Sequence, residues 1–139
     1  MSLAYLYQKI CSQFNLKSKI LQPGDITSGC ILLKTGENIM FTNKRYITCG
    51  ISSAIPEKLQ LALWNMIDNL KNSTNIEVDY LQIFSLSNQK GKQKIIHRQE
   101  EPVYYNEILV AFIWNPVENA KIFVIDDGEH STMMLAEEY

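Results

Sequence analysis

Between residues 56 and 71 the chain carries a single strong helical period, and from there to the C-terminus its apolar residues alternate instead. Pro56 suits the first turn of a helix, where its missing N–H has no intrahelical partner to lose. At about 100° per residue, Leu59, Ala62, Leu63, Met66, Ile67 and Leu70 fall on one stripe, whereas Leu61 and Trp64 lie off it. One stripe needs one surface to cover it, and alternating segments supply such a surface as the inner face of a sheet.

Those segments are short and turn-bounded. Residues 45–51 (RYITCGI) are rich in β-branched and aromatic residues and predict a first strand, with a turn over 52–55. Residues 76–86 alternate, 87–91 form a polar turn, and 92–99 (KQKIIHRQ) return, the pattern of an antiparallel hairpin. Strands over 104–114 and 120–125 follow, separated by Asn115, Pro116, Glu118 and Asn119. Asp127-Gly128 is a hairpin signal and predicts a sixth strand over 132–137; a short helix capped by Ser131 is the alternative. The fold class is therefore α+β: an antiparallel five- or six-stranded sheet with one main helix, about 56–71, packed on one face.

At 139 residues there is chain enough for one core. The α+β domain takes residues 40–139. Residues 1–39 are an N-terminal extension in which Leu3, Leu6, Tyr7, Ile10 and Phe14 have helical spacing, followed by loop punctuation at Pro23, Gly24, Gly29 and Gly36. Gly36-Glu37 can be encoded as a ribosome-binding site just ahead of Met40, so the extension reads either as translated upstream sequence, loosely packed, or as a helical arm. No apolar run approaches the roughly 20 residues that span a bilayer, and the start lacks the pattern of a signal peptide, so a cytoplasmic protein without membrane contact is expected. Cys11, Cys30 and Cys49 are odd in number and form no CxxC pair, which argues against a disulfide framework or zinc knuckle and for buried free thiols.

The net charge of −2 conceals a division. Residues 1–39 carry a net +2 and residues 40–99 a net +4, whereas residues 100–139 set nine acids against Lys121 alone, a net −8. Three kinds of site follow. The acidic end (Asp126, Asp127, Glu129, Glu137, Glu138), with Trp64 and Leu61 as an apolar anchor, suits a protein partner or a second copy of the chain. Lys90, Lys92, Lys94 and Arg98 recur at even spacings, which on a strand directs several cations to one face, with Tyr80 or Phe84 across the hairpin to stack on bases of single-stranded nucleic acid. Asp126, Asp127 and His130, with His97 and Glu100 nearby if the sheet folds so, have the donor types of a divalent-metal hydrolase. Each has a plainer counterpart: a solvated acidic face, a lysine-decorated edge strand, and a tight turn that selects Asp and Gly for their backbone conformations. Nucleotide-binding glycine loops and a GxSxG elbow are missing from the sequence, so no ATPase, dehydrogenase or serine hydrolase is expected, and no resident cofactor.

The segments FTNKRYITCG, IPEKLQLALWNMID, DYLQIF, IIHRQEEPVYY and KIFVIDDGEHSTMMLAEEY, in this order over residues 40–139, resemble the bacterial family called domain of unknown function 960. The residues before Met40 depart from that pattern. The resemblance implies a Firmicutes protein that in staphylococci accompanies recombinase genes on chromosomal cassette elements, and it carries over no activity, cofactor or catalytic residue. The function expected is that of a small non-enzymatic interaction protein of a mobile genetic element, binding a protein of DNA metabolism or defence, with single-stranded nucleic-acid binding and metal-dependent hydrolysis as alternatives.

Overall fold

The structure, a computed structural model, describes residues 39–73, 75–111 and 115–139. The expected N-terminal extension and its helix lie outside the described residues, apart from Ile39, as does the end of the strand expected over 104–114.

Chain order is β1 (Lys44–Ile47), α1 (Cys49–Ala54), α2 (Glu57–Asn72), then β2 (Leu81–Gln89), β3 (Lys92–Gln99), β4 (Tyr104–Val110), β5 (Asn119–Asp126), β6 (His130–Leu135) and a 3-10 turn, Ala136–Glu138. The six strands form one sheet in the order β1-β6-β5-β2-β3-β4. Four of its pairings are antiparallel, and β1 joins β6 in parallel, so the sheet is mixed where an antiparallel one was expected. The two partners of that parallel pair lie at opposite ends of the domain, and no local pattern encodes their meeting.

The main helix forms where expected. Pro56 (φ −56°, ψ 140°) stands just outside its first turn, and Leu59, Ala62, Leu63, Met66, Ile67 and Leu70 are all buried. Each of the five larger side chains is worth about 2 kcal/mol of apolar transfer, and the Ala62 methyl under about 1 kcal/mol. They cover the inner face of the sheet, whose buried positions follow strand alternation: Phe84 and Leu86 on β2, Ile95 and His97 on β3, Ile122 and Val124 on β5, and Met133 on β6. The outward positions are Leu81, Ile83, Ser85 and Ser87 on β2, Lys92, Lys94, Ile96 and Arg98 on β3, Tyr105, Glu107 and Leu109 on β4, and Lys121, Phe123 and Ile125 on β5.

The first strand is shorter than its composition suggests. It stops at Ile47 because Thr48 caps α1, its hydroxyl accepting from the Ile51 N–H at 3.4 Å. Residues 49–51, expected in the strand, begin that helix, and residues 52–54, expected in a turn, complete it. Cys49 is an exposed free thiol there, not a buried one. Residues 76–80, the expected start of β2, lie outside the strand. The turn at Asp127-Gly128 forms, with Gly128 at φ +93°, and the sixth strand follows it over His130–Leu135; the alternative helix capped by Ser131 does not form, since Ser131 lies within β6 and the 3-10 turn begins only at Ala136. No helix among the described residues is long and apolar enough to cross a membrane.

Candidate functional site

Most of the acidic residues singled out from sequence prove to hold the fold together. Asp126 is 6% exposed, and its carboxylate accepts from the Phe41 N–H at 2.5 Å, the Asn43 side chain at 2.7 Å and the Gly128 N–H at 2.8 Å. It clamps the segment entering β1 to the β5–β6 turn. Phe41 is buried at φ +57°, a conformation costly for a side-chain-bearing residue, and Arg45 and Lys71 hold its carbonyl at 3.4 Å each. Asp127 closes the turn by accepting from the Glu129 and His130 N–H groups at 2.9 and 2.7 Å. Those two bonds, His130 first, hold its carboxyl below the usual range. Glu138 caps α1 from the far end of the chain, accepting from the Thr48 hydroxyl (2.6 Å), the Leu135 N–H (2.8 Å) and the Gly50 N–H (3.1 Å). The Thr48 hydroxyl is the main cause of its lowered pKa. Of the five acids proposed for a partner, Glu129 and Glu137 alone have exposed carboxylates without a hydrogen bond or ion pair to another described residue.

Trp64 is not an exposed anchor. It is 7% exposed, with the Arg45 guanidinium 4.7 Å above its ring, and Arg45 also pairs with Asp68 on the same helix. This position off the main stripe is covered by the Arg45 side chain of β1, whereas Leu61 remains 47% exposed.

The metal-hydrolase donors are not assembled. Both Asp126 oxygens and Asp127 Oδ1 accept from N–H groups; His130 Nδ1 lies 4.0 Å from that same Asp127 oxygen, and its ring meets Tyr46 edge-on with centroids 5.2 Å apart. His97 is fully buried on the inner face, stacked on Phe84 at 4.3 Å, and bonded to Gln82. Among the described residues no group of three His, Cys, Asp or Glu side chains is placed to hold a metal ion.

The outward face of the sheet gathers charge of the opposite sign. Alternation puts Lys92, Lys94 and Arg98 of β3 there, joined by Lys121 of β5 and Lys44 of β1. Among the described residues five cations thus share a face on which Glu107 is the one strand carboxylate, in a chain of net charge −2. Glu107 is committed: Lys94 Nζ lies 2.9 Å away and the Tyr105 hydroxyl donates to it at 2.6 Å. The Tyr105 bond first and Lys94 second lower its pKa, and the same bond raises that of Tyr105. Lys44, Lys92, Arg98 and Lys121 have no carboxylate partner among the described residues.

Aromatic rings lie between the cations. Pairing sets Tyr105, Arg98, Ile83, Phe123 and Met134 in one row across β4, β3, β2, β5 and β6. Tyr105 is 57% exposed and Tyr46, on β1, 48%. Lys121 Nζ lies 5.3 Å from the centroid of the Phe123 ring, and the Tyr139 ring meets Phe123 edge-on at 5.8 Å. Lys90, expected among the strand cations, instead occupies the β2–β3 turn at φ +52°. Phe84, expected to stack across the hairpin, points inward beneath the helix side, and Tyr80 precedes β2, exposed. Sequence reading missed Lys44, Lys121, Tyr46, Tyr105 and Phe123; alternation was a signal for each one's face, but the strand order that unites them was not legible.

The family described as Staphylococcal protein of unknown function (DUF960) matches residues 44–138. No curated protein matches the chain. Among solved structures, the crystal structure of a protein of unknown function from Enterococcus faecalis is similar, with a TM-score of 0.64 and 28% identity over 75% of this chain and 97% of that one.

Proposed function

The chain belongs to the family of Staphylococcal proteins of unknown function (DUF960), and from that premise we propose that it is a non-enzymatic binding protein that holds nucleic acid on the outward face of its sheet. One observation carries this reading: Lys44, Lys92, Lys94, Arg98 and Lys121 converge on a face with one strand carboxylate, although the chain as a whole is acidic. A phosphate backbone is the polymer whose charge such a face complements. The cassette-element setting implied by the family resemblance fits an accessory role in DNA metabolism. Docking of a protein through the acidic end has less support, because Asp126, Asp127 and Glu138 are engaged in the fold and Trp64 is covered.

Fluorescence anisotropy with labelled oligonucleotides at low salt tests the proposal. Four unpaired cations predict a log–log salt slope of about −3. Arg98→Glu with Lys121→Glu abolishes the complex. Failure of every nucleic acid, single- or double-stranded, to give a salt-sensitive complex would overturn the reading.

A further inference from the structure

Resting on that reading, we infer that the ligand is a single strand laid across the β-strands with its bases stacked on Tyr105, Phe123 and Tyr46, and not a duplex. The face is more than a basic patch. One row combines rings, a cation and apolar side chains: Tyr105 and Arg98 flank Ile83 on one side, and Phe123 and Met134 on the other. A duplex offers phosphates outward and keeps its base faces stacked inside, so Ile83, Phe123 and Met134 would meet charge alone. A single strand exposes both phosphates and base faces, and matches both kinds of residue at once.

Spacing agrees with this. Tyr105 and Phe123 are three strand intervals apart in the same row, about 14 Å at the usual strand separation. Tyr46, on β1, lies in the adjacent row, which Thr132, Ile125 and Leu81 complete. Arg98 stands between the Tyr105 and Ile83 positions, and Lys121 beside Phe123, so a cation follows each of those rings along the path. The Glu107 carboxylate fixes the Tyr105 hydroxyl at 2.6 Å and thereby holds an exposed ring in place before any ligand arrives, which reduces the ordering cost of stacking. Recognition is by charge and π-face, tolerant of sequence.

The full chain is titrated with single-stranded DNA, single-stranded RNA and duplex DNA of one length at one salt concentration. Tighter binding of either single strand than of duplex, by at least tenfold, supports the inference, and the DNA and RNA arms identify the source. Tyr105→Ala weakens single-strand binding at least fivefold, the low end for one stacked base, and leaves the salt slope unchanged. Lys121→Ala reduces the slope by about 0.7. Tyr105→Phe, which keeps the ring, retains most of the affinity. Equal affinity for duplex, with Tyr105→Ala inert, would overturn the single-strand assignment while the charged-face reading stood; no complex with any of the three would overturn both.

Discussion

Acidification should destabilise this fold through one side chain, His97. Its Nε2 lies 2.6 Å from Gln82 Oε1, and the orientation of that amide is fixed by its neighbours. The Gln82 amide nitrogen donates to the Asp79 carbonyl (2.8 Å) and to Gln99 Oε1 (2.9 Å). Gln99 is fixed in turn, accepting from the Asp79 N–H (3.1 Å) and donating to the carbonyls of Glu77 (2.8 Å) and Pro102 (2.9 Å). With every amide oriented, His97 must carry its proton on Nε2. Nδ1 is left buried with no hydrogen-bond partner, and between the rings of Phe84 and Tyr104 it has no acceptor to offer a second N–H. Burial accordingly lowers the His97 pKa from 6.5 to about 4.

The folded state thus resists a proton that the unfolded chain accepts. Stability from this group is complete above pH 6.5 and declines as pH falls toward 4, by about 3 kcal/mol over a shift of 2.5 units. About 2.5 kcal/mol of that is gone by pH 4.5. Urea denaturation at pH 7.5 and 4.5, run on the wild type and on His97→Phe, isolates the effect from the carboxylates common to both. The variant keeps the stack and loses the titration. Wild type should lose about 2.5 kcal/mol more than the variant between the two pH values. Equal losses would refute the reasoning, as would an imidazole nitrogen spectrum showing the proton on Nδ1.

Three further outcomes test the structural roles of residues toward the two ends of the described domain. Asp126→Ala strands the buried Phe41 N–H and frees Asn43, and should cost about 3 kcal/mol in urea denaturation. Gly50→Ala places a methyl within 2.5–2.7 Å of the Glu138 carboxylate, displacing the cap on α1; it lowers Tm in the wild type and has little effect in a Glu138→Ala background. Gly128→Ala forces a side chain onto φ +93° and should cost about 1–2 kcal/mol, with the loss appearing in the same denaturation assay.

The amino-acid sequence determined whatever depends on neighbours in the chain. The stripe from Leu59 to Leu70 made a helix, the alternation of residues 92–99 made β3, and Asp127-Gly128 made a turn, because helical and strand periods and turn preferences act over a few residues. Local patterning also assigned Lys92, Lys94 and Arg98 to one face. Tertiary structure decided which distant segments meet. The parallel pairing of β1 with β6, the bond from Asp126 to Phe41 85 residues away, and the capping of α1 by Glu138 all join the two ends of the domain. The placing of β2 between β5 and β3 brought Lys121 and Phe123 alongside Arg98 and Tyr105, turning a short basic stretch into a charged and aromatic surface. Strand order and register are selected by the burial of a whole face at once, so they are properties of the assembled sheet and of no single stretch within it.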